Sequence, residues 1–473
     1  MALSLSDFER DALATLQTYT TIPCLSPAFD ADWVATGAID AAAELLADFA
    51  RGLDFEAADV TIHRLDNRTP VLCVVIEATS DDEETDDDRG TVVLYGHLDK
   101  QPPLGDWSEG LDPYTPVRRG NRLYGRGVAD DGYSTFAALL AIEALEHEGI
   151  PHPRCVVLIE ASEESGSPDL DAYLDYLAPK LGNVKLLICL DSGALSYDRL
   201  WVTTSLRGVI NATVRVDVLE QGVHSGMGSG VVPSSFRVLR QLLDRIEDAT
   251  TGVIAIDELH VEIPQSVLDA AQATADEFGD ITLDALPLVE GLTPLGASAF
   301  ERIIARTWKP TLSVIGVDGI PPAAIAGNVL RPFTSVVVSL RLPPTADASV
   351  ALDALVAALT DCPPHGARVN VSDTGAGQGW RSPELAPWLA KAVDEASLSA
   401  FGRAPGFTGE GGSIPFLASL ATRYPSVQFV ATGVLGPHSN AHGIDEMLDL
   451  DMCVGVTNAV SHLVAAFSKR NDA

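Results

Sequence analysis

The residues best suited to chemistry begin at Tyr95-Gly96-His97-Leu98-Asp99-Lys100, which closes the strand-forming run Thr91-Val92-Val93-Leu94. A histidine and an aspartate two apart at a strand end face the same side of a sheet. Asp130-Asp131, Glu163-Glu164, Asp191 and His442 each stand where an apolar run gives way to a loop. Carboxylates and imidazoles carried from strand ends to one rim are what a pair of divalent metal ions needs, and such ions activate water for hydrolysis. The pattern is that of an enzyme.

Each candidate also has an ordinary use. A histidine at a strand end commonly makes a hydrogen bond and nothing more. Asp99 gives His97 more weight, because a neighbouring carboxylate holds an imidazole in the tautomer a metal requires. Asp130-Asp131 precedes a helix, and alone either would read as an N-cap. Two adjacent acids between Gly127 and Gly132, at the edge of the same sheet, point instead to a ligand. One carboxylate can bridge two ions through its two oxygens, and Asp130 is assigned that role. Adjacent side chains diverge, so only one of Glu163 and Glu164 coordinates, and the other stands beside the water; local sequence does not say which. Asp191 ends an apolar run and by itself would cap a turn. His442 shares its segment with His438, and spacing does not separate the two.

Elements must position these groups. Helices are expected near 5–18, 36–52 and 133–148, and apolar strands near 70–77, 91–96, 155–160, 186–191 and 200–204. Alternating helices and short apolar strands predict an α/β fold, with a mostly parallel central sheet flanked by helices. The acidic run 80–90 reads as a solvated loop. After Arg207-Gly208 the texture changes: Ile210, Ala212, Val214, Val216 and Val218 interleave with Asn211, Thr213, Arg215 and Asp217, the pattern of a half-exposed antiparallel strand. Further strands are expected at 334–342 and 367–372, with helices near 233–247 and 348–360. From 376 the pattern returns to helix (384–399), strand (427–432) and helix (448–467). The expected organisation is a catalytic domain over 1–206 and 376–473, interrupted by an α+β lid or dimerisation domain over 207–375.

Composition narrows the partners. The 473 residues carry 66 acidic and 31 basic side chains, a net charge of −35, with 46% hydrophobic residues. That balance repels nucleic acid and anionic membranes, and neither is expected as a partner. The first ten residues lack a basic region and a signal-like apolar core, and no uninterrupted apolar run approaches the ~18 residues of a membrane span. Six cysteines without CxxC spacing read as buried free thiols. The expected compartment is the cytoplasm.

Singly these motifs are weak; their ordered set is specific. His97-Leu98-Asp99, Asp130-Asp131, Glu163-Glu164, Asp191, Gly222-Val223-His224-Ser225-Gly226, Gly411-Gly412-Ser413-Ile414-Pro415 and His442-Gly443-Ile444-Asp445-Glu446 occur in that order. Across nearly its whole length the chain resembles the M20 metallopeptidases, in their carnosinase-like, cytosolic nonspecific dipeptidase branch. The resemblance implies two ions, one held by His97, Asp130 and Asp191, the other by Asp130, Glu164 and His442. Zinc fits these thiolate-free donors, as do manganese and cobalt. It also implies a cis peptide at Asp130–Asp131, Asp99 behind His97, and Glu163 as the base that takes a proton from water and returns it to the leaving amine. His224 is implied to stabilise the oxyanion from the lid of the other subunit, which makes the protein a homodimer.

The implied substrate is a small peptide with a free C-terminal carboxylate. Arg341 matches an arginine that binds this carboxylate in relatives, although it also reads as a solvated strand-end charge. Asn328 matches a neighbouring lid position. Gly411, Gly412 and Ser413 open a helix, with Ser413 as N-cap, and backbone amides there bind anions. Two departures stand out. Gly409 occupies a position where dipeptidase relatives often carry arginine, and Asp445 replaces an asparagine after the last metal histidine. Alternatives on the same site are an N-acyl amino acid amidohydrolase or a glutamate-releasing carboxypeptidase. A two-metal phosphoesterase fits the donors but not the motif order. A catalytically silent peptide- or metal-binding protein is the alternative outside enzymes, and Glu163 beside a full ligand set speaks against it.

Overall fold

The computed structural model describes residues 3–79, 90–284, 286–412 and 415–470. The acidic run falls outside them except for Gly90, and Ser413 is outside as well. The chain forms two compact units: Met1–Thr204 with Ser382–Thr408 and Ser419–Ala473, and Ser205–Arg381 with Gly409–Ala418. Residues 409–418, which the sequence reading gives to the first domain, fold with the second unit. Arg207 explains this: its backbone N–H donates to the carbonyl of Gly412 at 3.0 Å and its Nε to that of Gly411 at 3.0 Å. Nothing local in the sequence announces such a long-range pairing.

The first unit is built on one large mixed sheet. Its strands run in the order Ala58–His63, Val71–Ile76, Cys155–Glu160, Thr91–His97, Val184–Cys189, Gln428–Ala431 and Trp201–Leu206. The four from Cys155–Glu160 to Gln428–Ala431 are parallel neighbours, and antiparallel strands extend both flanks. Val71–Ile76, Thr91–His97 and Cys155–Glu160 are buried at every position, as aliphatic runs covered on both faces must be. Helix Leu450–Ser468 packs against helices Tyr133–His147 and Pro387–Phe401. It is long and apolar enough to cross a membrane, yet 67% of its apolar window is buried within the fold, as befits a core helix.

Sequence and structure differ locally. The first expected helix is two, Leu5–Asp11 and Leu13–Thr20. The second, expected over 36–52, runs Ala38–Gly52, and left-handed Gly37, at φ 67°, separates it from a one-turn helix Trp33–Thr36. Helix Leu170–Leu181, unannounced in the sequence reading, links two parallel strands. Five cysteines are buried and free; Cys362 is free but exposed.

The second unit holds a four-stranded antiparallel sheet in the order Thr311–Asp318, Phe333–Leu342, Gly208–Asp217 and Arg368–Gly377. Gly208–Asp217 alternates buried and half-buried residues along its whole length. Ile210, Ala212, Val214 and Val216 are fully buried with Val336, Val338 and Leu340. Helices Ser235–Leu243 and Ala348–Thr360 cover that face through Val238, Leu239, Leu242, Leu355 and Leu359.

Candidate metal centre

Three parallel neighbours end on one rim of the first unit. Thr91–His97 ends on its histidine, Cys155–Glu160 leads into the 3-10 turn Glu163–Ser165, and Val184–Cys189 stops two residues before Asp191. In open α/β sheets the carboxyl ends of strands are where ligands bind. Asp130 arrives on the loop before helix Tyr133–His147, and the Asp130–Asp131 peptide is cis. His442 arrives on a loop before Leu450–Ser468.

These groups form two triplets that share Asp130: His97 with Asp130 and Asp191, and Asp130 with Glu164 and His442. Within each, one donor atom per residue lies within 4.8 Å of the others. His97 Nε2 is 3.2 Å from Asp130 Oδ1 and 3.9 Å from Asp191 Oδ2. His442 Nε2 is 3.0 Å from Asp130 Oδ2 and 3.2 Å from Glu164 Oε2. The two oxygens of Asp130 thus face different imidazoles. His438 joins neither triplet.

Neighbouring groups orient this set. His97 Nδ1 is 3.0 Å from the backbone carbonyl of Asp99 and 3.5 Å from its carboxylate. Donation from Nδ1 to that carbonyl turns Nε2 towards Asp130 and Asp191, the atom that a cation would take up on displacing its proton. The Asp99 carboxylate accepts the backbone N–H groups of Glu163 at 3.1 Å and Glu164 at 3.0 Å, so it also fixes the turn that carries both glutamates. Asp131 Oδ2 accepts the N–H of His97 at 3.1 Å. Gln101, missed in the sequence reading, donates to Glu164 Oε2 at 2.8 Å. Its only sequence signal is its place one residue beyond Lys100. Gly96 permits the approach: a Cβ there would lie 2.1 Å from Ser134 Oγ and 2.6 Å from Asp131 Oδ2.

The electrostatics are those of a site wanting positive charge. Burial, and then the like charges around it, push the Asp191 carboxyl up to about 7. Burial and the charge of Asp191 push Glu163 well above the carboxylate range, and burial and Asp130 raise Glu164. Burial opposes charge on His97 and His442, but the carboxylates outweigh it: Asp130 and Asp99 hold His97 well above its ordinary value, and Asp130 and Glu164 lift His442 to about 11. Two imidazoles and three carboxylates, without a thiolate, suit divalent ions of hard or borderline character. Glu164 Oε1 is buried and has no hydrogen-bond partner, an orphan that a cation would satisfy. The residues therefore fit divalent metal.

The remaining predicted residues lie in the second unit. His224 is exposed, in the short strand Val223–His224 paired with Val329–Leu330, and its Nδ1 accepts from Gly226 N at 3.1 Å. Asn328 is next to it, its carbonyl accepting from Ser225 N at 2.9 Å. Arg341 is near the end of strand Phe333–Leu342, where burial lowers its pKa. Gly411 lies between Arg306 and Arg207, where a Cβ would come 3.1 Å from Arg306 Cγ and 3.3 Å from Arg207 Nη2. Gly412 is exposed.

A parallel-centred α/β sheet with clustered acids and imidazoles at its strand ends defines the class of metal-dependent hydrolases. The chain belongs to peptidase family M20/M25/M40, whose family model matches residues 93–466. It is 28% identical over 390 residues to the cysteinylglycine-S-conjugate dipeptidase of Corynebacterium striatum, covering 81% of this chain and 82% of that one. It is 27% identical over 388 residues to the Beta-Ala-His dipeptidase of Homo sapiens, covering 76% and 72%. The solved di-peptidase Dug1p of Saccharomyces cerevisiae shares the fold, with a TM-score of 0.76 at 22% identity over 100% of both chains.

Proposed function

We propose that this protein is a dinuclear metallodipeptidase, hydrolysing the peptide bond of dipeptides or short peptides that end in a free carboxylate. One observation carries the reading: two donor triplets share Asp130, with Glu163 in the turn beside them. Membership of the peptidase family and the dipeptidase names of its relatives point the same way.

His97, Asp130 and Asp191 would hold one ion, and Asp130, Glu164 and His442 the other; zinc fits, and manganese or cobalt also suit the donors. Divalent ions held there would supply polarisation of the scissile carbonyl and a lowered pKa for water. Glu163 takes a proton from water as the water oxygen adds to the carbonyl carbon, and delivers it to the amine nitrogen as the C–N bond breaks, leaving a carboxylate and a free amine. Burial and the charge of Asp191 raise its pKa, the direction that suits a group that must hold a proton between the two steps. Asp99 keeps His97 and the glutamate turn in place. Arg341, with Asn328, Gly411, Gly412 and Ser413, would receive the substrate carboxylate and neighbouring backbone.

His224 would donate to the oxyanion. With Nδ1 accepting from Gly226, the neutral ring carries its proton on Nε2, which has no partner among the described residues. We assign that donor to the metal centre of a second copy in a homodimer. Edge strand Thr311–Asp318 supports a second copy, because it leaves Val314, Ile315 and Val317 exposed along one sheet edge. Ile315→Arg is expected to shift the protein to monomers in light scattering and to remove turnover with it; a fully active monomer would exclude action across subunits. Small peptides in the cytoplasm are the proposed setting.

The deciding experiment is elemental analysis of purified protein, combined with turnover of unmodified dipeptides and N-acyl amino acids. Two divalent ions per chain and cleavage of dipeptides are expected. Cleavage of acyl substrates alone would replace the reading by an amidohydrolase, and peptide binding without turnover would replace it by a silent binding protein.

A further inference from the structure

His442 and Asp130 come from segments more than three hundred residues apart, and one buried carboxylate joins them. Glu446, four residues after His442, is fully buried. Its Oε1 accepts the backbone N–H groups of Ala129 at 3.0 Å and Asp130 at 3.1 Å. Its Oε2 accepts Gly127 N at 2.9 Å and Arg126 Nη1 at 2.8 Å. Arg126 is also buried, and its Nη2 donates to the carbonyl of Gly443 at 2.5 Å, one residue beyond His442. The backbone carbonyl of Glu446 accepts Gly125 N at 3.1 Å, which closes the staple on its other side.

The His442 loop needs holding. His438, Asn440, His442 and Asp445 all take left-handed φ values, 70°, 51°, 61° and 58°, an uncommon conformation that Asn, Asp and His tolerate better than other residues, and four of them within eight positions make an irregular loop with no helix or strand ladder to hold it. Neither carboxylate oxygen of Glu446 faces an imidazole; all four of their contacts are to the segment that presents Asp130.

We propose that the Glu446–Arg126 pair is a positioning device for the metal centre: it sets the distance between the carboxylate of Asp130, which the two triplets share, and the imidazole of His442. It acts on the ion held by Asp130, Glu164 and His442 more than on the ion held by His97, Asp130 and Asp191, because only the first takes ligands from both of the segments that the pair joins, while His97 and Asp191 are placed by the sheet. The inference rests on the two-ion reading above. It deepens that reading by giving the two sites different structural dependence.

The test is Co2+ titration of metal-free protein, followed by visible absorption, for the wild type, Glu446→Gln and Asp169→Asn. Asp169 is a fair comparison: it also staples distant chain, accepting from Arg68 Nη1 at 2.8 Å and Thr69 N at 2.9 Å, yet touches no ligand segment. Glu446→Gln keeps the shape but puts an amide N–H2 among four donors. One of the two Co2+ steps is expected to weaken by ~10–100-fold, the range for loss of a group that orients a ligand, while the other stays within about threefold. Turnover should fall with KM unchanged. Asp169→Asn should lose thermal stability and leave both steps in place. Should Glu446→Gln not fold, Arg126→Lys keeps the charge and drops the fork to Gly443, and a smaller shift of the same single step is expected. Equal weakening of both steps, no weakening, or the same effect from Asp169→Asn overturns the inference alone. Wild-type protein that takes up no divalent ion overturns the two-ion reading with it.

Discussion

The two halves of the candidate centre are built differently. His97 and Asp191 lie at the ends of neighbouring parallel strands whose ladder pairs Tyr95 with Cys189. The sheet places both, and the side chain of His97 is wholly buried. Glu164 stands on a one-turn 3-10 segment, and His442 on a loop of left-handed residues with 53% of its side chain exposed. One half inherits its geometry from backbone hydrogen bonds; the other must be held by side chains such as those of Asp99, Gln101 and Glu446. A rigid half and an adjustable half suit a site that must keep its metal while admitting substrate from one side.

The largest effect belongs to the group between the halves. Glu163→Gln removes a proton acceptor and no ligand. Turnover should fall by ~10²–10⁴-fold, as expected for loss of general acid–base catalysis, with metal content unchanged by elemental analysis. Full activity would remove Glu163 from the mechanism. Next come the halves themselves. His97→Ala should empty the buried triplet, a loss beyond the ~100-fold typical of changes behind the ligands. His442→Ala should weaken the open triplet and leave the buried ion in place. Equal loss from both substitutions would mean that the halves are one cooperative unit.

Legibility divides along the same line. The strand-end ligands follow from short aliphatic runs that stop at an acid or a histidine, as Thr91–His97 and Val184–Cys189 do. The alternation of Ile210, Ala212, Val214 and Val216 likewise exposed the second sheet. The loop ligands left no such mark. His438 and His442 have the same chemistry four residues apart, and only the packing of the 438–446 loop separates them. Adjacent Glu163 and Glu164 were equally ambiguous locally, because the direction each takes depends on Asp99 gripping their N–H groups. Glu446 was legible only as the last residue of the motif that begins at His442, since nothing local marks it as buried or shows what it holds.

Acidity offers a titration of the comparison. A metal ion binds the deprotonated forms, so groups with raised pKa in the metal-free protein must release protons on binding. His442, at about 11, carries a proton through the neutral range, whereas Asp191, at about 7, carries one only below neutrality. Uptake at pH 8 should therefore release protons from the imidazoles, and uptake at pH 6 should release more as Asp191 contributes. Affinity should rise with pH, more steeply below 7 than above, with each released proton worth a factor of ~10 per pH unit. Calorimetry in two buffers of different ionisation enthalpy counts the protons directly. Uptake without proton release at pH 6 would contradict the close imidazole–carboxylate pairs.

The smallest effect probes rigidity itself. Gly96 and Gly443 each stand one residue from a ligand histidine, one on the strand and one on the loop. Alanine at 96 would drive its Cβ against Ser134 and Asp131, both fully buried, with no room to yield. Such overpacking costs ~1–3 kcal/mol and should displace the N–H of His97 from Asp131. Alanine at 443 would meet the backbone oxygen of Asn440 at 3.2 Å, a tight contact that a shift of a few tenths of an ångström in the half-buried loop would relieve, and without a positive φ. Its cost should stay at about 1 kcal/mol or less, below that of the strand substitution, because the loop can shift where the sheet cannot. Denaturant unfolding of the metal-free variants compares the two. A loop substitution as damaging as the strand substitution would show that the His442 side is as tightly packed as the sheet, and the adjustable half would then have to be found elsewhere in the site.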